Sequence, residues 1–489
     1  MKKYFHSLWQ PVSNGQLVIF RIIFGLLMAF HFARSISSGY VYKVYISIQH
    51  RFTSMGFDWL NVLHGQMMYG YYAIMIVAAL MVSFGFLYRY SAVVLAIMWT
   101  AIYLSSKTHY NNHHYLMVLL CWLMVFVPAN SRLSLDVRWR LTDRNPYCYR
   151  WQLHIFIFQI ACVYFFAALA KINFDWLHAI PAKYWTVRKQ GTPVIGWALR
   201  YSFAPWIISY GGLLFDLLVV PGLLYKKTRK VFFILSLVFH LTNAYLFSIG
   251  IFPFLAISLN IFFLDSSTFK SILKQPQPKL LPIPKYQKLV CSLLTLYVFI
   301  QLLLPLRHFF FSPNVDWTEE GYRLSWRMML REKSGELAFK VKHPSTGAVE
   351  YLQPASFLDS FQLRDVAIFP DITWQAVQYL KQQYPNNGED VQIYAVGKAV
   401  YNHHQAYHLA AGLSLGGSFS VDFLPFKTFF IFSTDVPVHS ITVNNFSGLD
   451  PSIYDHQSNS PMLLLLMLVK SFGFVISYSI LIGSLHLMN

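Results

Sequence analysis

Lys171 is the residue with the most chemistry to offer, because it closes an apolar run. It follows Tyr164-Phe165-Phe166-Ala167-Ala168-Leu169-Ala170 and precedes Ile172-Asn173-Phe174-Asp175-Trp176. Spacings of seven and four put Tyr164, Lys171 and Asp175 on one helical face. Ala167, Ala168 and Ala170 leave room around the amine. Burial disfavours the charged form of a lysine and can lower its pKa by several units, which turns an ammonium into a base. The bland reading is a lysine that snorkels to a membrane interface and pairs with Asp175. For a base, Asp175 has to turn instead toward Trp176 or toward the polar part of the chain.

Two further polar groups interrupt apolar sequence. Lys107-Thr108-His109-Tyr110-Asn111-Asn112-His113-His114-Tyr115 covers more than one helical face, which lipid does not tolerate, although an interfacial belt looks similar. Asp216, in Gly211-Gly212-Leu213-Leu214-Phe215-Asp216, and His240 with Asn243 lie in otherwise apolar runs. Singly, Asp216 and His240 read as helix–helix hydrogen bonds and are expected to be structural. Ionisable groups inside spans are costly and point to function. Together the three clusters suggest one site, with Asn112 and His113 within reach of Lys171.

The elements that must hold these residues are membrane helices. The chain is 55% hydrophobic and only 12% charged, well below the roughly 25% of soluble proteins. Runs long enough to span a bilayer fall near 17–34, 66–88, 90–105, 114–130, 152–171, 206–225, 231–249, 251–266 and 288–306, and a last one at 461–487. The expected fold is an α-helical polytopic membrane bundle of about nine to ten transmembrane helices with an extramembrane β-rich α+β domain. The net charge of +18 reports topology rather than a nucleic-acid partner. Residues 1–306 carry 27 Lys and Arg against six acids, whereas 307–460 carry 11 against 15. With the N-terminus inside, 17 positive charges fall in cytoplasmic segments and eight in outer loops. The positive-inside rule then puts 307–460 on the periplasmic or lumenal side of a multi-pass protein of the cell inner membrane. Arg21 and His31 interrupt the first apolar run, so an uncleaved helix is expected rather than a signal peptide.

Three parts follow. Residues 1–306 form the helical membrane domain carrying the three polar clusters and the candidate base, 307–460 the β-rich outer domain, and 461–489 a C-terminal hydrophobic helix read as transmembrane. In the outer part, 336–342 alternates with period two, Ser345-Thr346-Gly347 turns, and 348–352 returns as a hairpin. Residues 372–384 have helical spacing, 391–397 reads as a strand, and the domain is expected to sit against the membrane part. The four cysteines, Cys121, Cys148, Cys162 and Cys291, make no CxxC pair, so neither a disulfide framework nor a metal site is expected.

Five ordered blocks resemble the vitamin K-dependent gamma-carboxylase family and its bacterial relatives with a horizontally transferred transmembrane (HTTM) domain. They are KTHYNNHHYL (Lys107–Leu116), YFFAALAKINFDW (Tyr164–Trp176), GGLLFD (Gly211–Asp216), FHLTNAYLFSIG (Phe239–Gly250) and EGYRLSWRMM (Glu320–Met329). The resemblance implies a carboxylase that couples oxygenation of reduced vitamin K to carboxylation of glutamate in a peptide or protein. Reduced vitamin K, of phylloquinol or menaquinol type, is then the cofactor, O2 and CO2 are co-substrates, and no metal is implied. By the same resemblance Lys171 is the base that deprotonates the hydroquinone, with Asn112 and His113 assisting catalysis. Asn112, His113, Tyr164, Lys171 and His240 contact the quinone lipid. Tyr322, Trp326, Arg331 and Lys333 bind the glutamate substrate, the last two standing where the animal enzymes have His and Arg. Oxygenation generates a base strong enough to take a glutamate γ-proton, and the carbanion attacks CO2. Such a base is quenched by water, which suits a buried site. Two other readings remain: a quinol oxygenase or epoxidase acting on another acceptor, and a non-catalytic transporter or lipid-binding protein.

Overall fold

The apolar runs of the first 306 residues condense into long helices around one core. The structure, a computed structural model, describes residues 7–411 apart from 49, 248, 270–271, 274–281, 283, 311–314, 385–390 and 403–406. The expected helix at 461–489 and the end of the outer domain lie outside the described residues. Among the described residues, ten α-helices of eight residues or more lie in the first part: α1 (Gly15–Ser37), α2 (Met67–Phe84), α3 (Tyr88–Ser105), α4 (Asn112–Phe126), α5 (Trp151–Ala170), α6 (Ile180–Lys189), α7 (Ala204–Leu224), α8 (Arg229–Phe247), α9 (Phe252–Leu259) and α10 (Gln287–Leu303). Six segments among the described residues are long and apolar enough to cross a membrane: α1, α2, α5, α7, α8 and the run Gln287–Phe310 that contains α10. The other expected spans before residue 307 are shorter or less apolar. Pro128 follows close on α4, whose last residue is Phe126, and α9 tightens into a 3-10 turn at Asn260–Phe263.

Helix α1 runs through the core, with Phe20, Phe24, Met28 and Phe32 fully buried. Gly25 sets its contact with α2: a Cβ there would lie 2.6 Å from the Ala79 carbonyl oxygen and the Ser83 amide nitrogen. Only a glycine lets the two backbones approach so closely. Phe156 of α5 stacks on Phe262 with ring centroids 4.5 Å apart, closing the core on the side of the 3-10 turn. Two short strands, β1 (Pro11–Ser13) and β2 (Tyr147–Tyr149), pair antiparallel at one end of the bundle.

The outer part is α+β. Strands β3 (Lys333–Lys342), β4 (Val349–Leu352), β5 (Gln392–Tyr401) and β6 (Tyr407–Ala411) form an antiparallel sheet of order β4-β3-β5-β6. The expected hairpin is present, with Phe339 opposite Leu352 and Lys342 opposite Val349. Helix α12 (Pro370–Lys381) matches the helical spacing read at 372–384, and packs Ile372, Ala376 and Val377 on Phe339, Val341 and Ile393 of the sheet. Helix α11 (Ser360–Ile368) escaped the sequence reading although its signal was there. Asp359 and Gln362 make a reciprocal capping box at its start. Phe52, from the loop after α1, enters this same outer core.

Candidate active site

Lys171 ends α5 and is buried, with 6% of its surface exposed. Its Nζ donates to Asp216 Oδ2 of α7 at 2.7 Å and to the Ala167 carbonyl at 3.4 Å. The indole of Trp176 lies 5.2 Å from Nζ. Sequence spacing offered Asp175 as a partner, whereas the carboxylate bonded to Nζ is Asp216. α7 crosses α5 and brings in a carboxylate 45 residues away. The amine thus has a buried carboxylate against it as well as the alanines of α5. Asp175 accepts a hydrogen bond from Asn402 of β5's end at 2.6 Å, so it does reach the outer domain.

Tyr164 and His240 come together beside this pair. The Tyr164 hydroxyl and His240 Nε2 are 2.7 Å apart, joining α5 to α8. Phe215, next to Asp216, packs edge-on against both rings. His240 Nδ1 is buried and has no hydrogen-bond partner among the described residues. An orphaned ring nitrogen on a histidine bonded to a tyrosine is a fitting contact for a polar ring substituent, and an unmade bond there is costly.

Asn112 and His113 stand at the start of α4, placed by Asn111, whose side chain caps the helix. Asn112 does not point at Lys171 through any bond in the structure. Its Nδ2 donates to the Arg327 carbonyl at 2.9 Å, and its Oδ1 accepts from the Tyr110 hydroxyl at 3.0 Å. The same hydroxyl accepts from the Leu324 amide at 2.6 Å. His113 faces Gly250, where φ is +67° and a Cβ would lie 3.5 Å from Nε2. Two residues further on, Phe252 packs edge-on against His240 at 5.9 Å. The turn between α8 and α9 therefore links the His113 region to the Tyr164–His240 pair. A cavity of about 470 Å³ opens on this turn, lined by Gly250, Ile251, His31, His114, Trp99 and Tyr72 among others. Neither Lys171 nor His113 is among its lining residues. The sequence reading had assigned no role to His31 or His114.

The outer segment over Asn112 is strained. Glu319, Leu324, Trp326 and Met329 all have φ between 50° and 65°. Left-handed backbone at a non-glycine residue costs on the order of 1 kcal/mol each and persists where surroundings enforce it. Here they do. Trp326, 1% exposed, stacks on Tyr115 of α4 at 4.9 Å. Arg323 and Lys107 both bond Asp371, at 2.6 and 2.8 Å. Burial would raise the Asp371 carboxyl, but Arg323 and then Lys107 outweigh it and hold it at about 2. Arg327 holds Asp316 with two bonds of 2.9 Å.

Arg331 and Lys333 are brought together, with Tyr322 beneath the Arg331 guanidinium at 4.1 Å. Both cations are buried and both bond Glu319, Lys333 at 2.9 Å. Burial pulls the Lys333 ammonium below the usual lysine range, with Glu319 pulling the other way. Nothing in the sequence singles out Glu319, since an acid beside Glu320 in a polar segment carries no periodic signal.

The fold and site together define a multi-pass membrane protein whose extramembrane α+β domain covers polar groups at the helix ends. Residues 9–267 match the family model of the HTTM domain, and residues 286–410 match that of the vitamin K-dependent gamma-carboxylase, lumenal domain. The chain belongs to the HTTM-domain family and is a gamma-carboxylase-like protein, and both matches support a vitamin K-dependent carboxylase-type function. No solved structure matches it.

Proposed function

We propose that the protein is an integral membrane gamma-glutamyl carboxylase that couples oxygenation of reduced vitamin K to carboxylation of protein glutamate with CO2. The observation that carries this is Lys171, a buried amine bonded to Asp216, two helical turns along α5 from a Tyr164–His240 pair whose Nδ1 has no partner among the described residues, in a chain matching both family models. When bound, the reduced quinone supplies the oxygen chemistry that yields a base strong enough for a glutamate γ-proton. Lys171 takes the hydroxyl proton that starts it. Tyr164 and His240 orient the ring from one side, and Asn112 with His113 act from the start of α4. The buried position of Lys171 keeps water from the reaction.

Tyr322, Trp326, Arg331 and Lys333 are proposed to receive the glutamate peptide. Since Arg331 and Lys333 hold Glu319, a substrate carboxylate would take the place that Glu319 has. That occupancy favours a second reading, in which oxygenation is kept and another acceptor is used. We place the protein in the bacterial inner membrane with 307–460, as the outer domain, on the periplasmic (or lumenal) side. The support is the concentration of 17 positive charges in the opposite segments. Incubation with reduced vitamin K, bicarbonate and a glutamate-rich peptide tests both readings. Epoxide with a CO2 adduct on the peptide supports the carboxylase, epoxide alone supports the second reading, and neither product refutes both.

A further inference from the structure

We infer that Asp216 is the proton partner of Lys171: in the resting site the proton of their 2.7 Å contact sits on the Asp216 carboxyl, leaving Lys171 a neutral amine. The inference rests on Lys171 being the base, and supplies what that reading needs. A lysine that must act as a base at neutral pH has to lose a proton without water to take it.

The geometry gives the proton one short path. Both side chains are 8% exposed. The groups around them are apolar or already engaged. From α5, the Tyr164 hydroxyl is bonded to His240 of α8. Asp175, in the turn after Lys171, is bonded by Asn402. The Trp176 ring lies over the amine. That ring favours an ammonium. Holding two desolvated charges is more costly, and that cost is relieved when the proton crosses the hydrogen bond. The contact is also fixed in place. Trp176 Nε1 donates to the Ser209 carbonyl at 2.9 Å, and Ser209 Oγ donates to the Trp176 carbonyl at 2.5 Å. This reciprocal pair clamps the turn after α5 to α7, two helical turns from Asp216.

The proton balance is closed. An acid bound against Nζ gives its hydroxyl proton to the amine: one O–H bond breaks, one N–H bond forms, and the oxygen keeps the electron pair. Asp216 holds its own proton through that step. Asp216 is thus a positioning residue for the proton, acting through Lys171.

The test has a readout independent of turnover. Infrared difference spectra of quinone-free protein at neutral pH, wild type minus Asp216→Asn, are expected to show a protonated-carboxyl C=O band that responds to deuteration. Asp216→Glu should keep such a band at a changed frequency. Should Asp216→Asn not fold, the wild-type and Asp216→Glu spectra still decide. A carboxylate signature alone overturns the inference. In turnover, Asp216→Asn, which keeps an uncharged group against the amine, should retain epoxide formation within about tenfold at neutral pH. A loss of roughly 100-fold at neutral pH, regained as pH rises, would also overturn it, since the amine beside an uncharged partner would then be an ammonium. A wild type with the carboxyl band but no epoxide supports the proton placement and refutes the base reading.

Discussion

Asn402, at the end of β5, donates a 2.6 Å hydrogen bond to Asp175, four residues beyond Lys171. One turn of the membrane domain is thereby fixed from the outer domain, beside the residue proposed as the base. Asn402 itself is held in left-handed backbone at φ 46°, and its Oδ1 accepts from the Glu332 amide at 2.8 Å. Asn402→Ala removes bonds on both sides. A hydrogen bond to a carboxylate contributes about 1.5–3 kcal/mol. Thermal unfolding in detergent should report a loss of that size, and epoxide formation should fall although Lys171 is untouched. Unchanged activity would show that the outer domain does not position this turn.

Lys171→Ala should abolish both epoxidation and carboxylation, since both start with the same deprotonation. Lys171→Arg should fail as well, because a guanidinium stays protonated. A small exogenous amine at high pH should partly restore the alanine variant. Product analysis for epoxide decides: wild-type epoxide in Lys171→Ala without amine would move the base elsewhere.

Tyr110 joins the two domains through one hydroxyl, which donates to Asn112 and accepts from Leu324. Tyr110→Phe should leave Asn112 Oδ1 and the Leu324 amide without this partner, at a cost of about 1–3 kcal/mol. Asn112→Ala should release the Arg327 carbonyl and cost a similar amount. Both should lower epoxide formation, measured beside unfolding temperature. Activity intact in a destabilised Tyr110→Phe protein would separate docking from catalysis.

Asp371 predicts the pH dependence of docking. Its folded pKa of about 2 lies below the unfolded value near 3.9. A depressed carboxyl contributes stability that is fully present above the unfolded pKa and lost as pH falls through the folded one. The contribution is about 2–3 kcal/mol and should vanish between roughly pH 4 and pH 2. Asp371→Asn should remove it at neutral pH and flatten that acid limb. Limited proteolysis across the pH series measures it, and an unchanged limb in Asp371→Asn would assign the transition to another group.

The outer domain should be open to protease in intact spheroplasts and protected in inverted vesicles. Cleavage of 307–460 in inverted vesicles alone would reverse the proposed topology.

Much of the architecture is a local property and was legible in the sequence. Membrane helices announce themselves because a bilayer demands about 20 apolar residues with every backbone bond made internally. α1, α2, α5, α7 and α8 match their runs closely. The hairpin of β3 and β4 follows from period-two alternation around a Gly347 turn. The residues with chemistry stood out for the same reason: a charge inside an apolar run is rare. What those residues touch was decided only when the helices packed. Lys171 and Asp216 are 45 positions apart, and nothing in the spacing pairs them across two helices. Nor does any pattern set Asn112 against Arg327, 215 residues on, or hand Glu319 to both Arg331 and Lys333. Sequence periodicity fixes which face a side chain occupies, whereas its partner depends on which helix crosses that face and at what height. The crossing is set by contacts such as Gly25 on Ala79 and the Ser209–Trp176 clamp, each made by residues far apart in the chain.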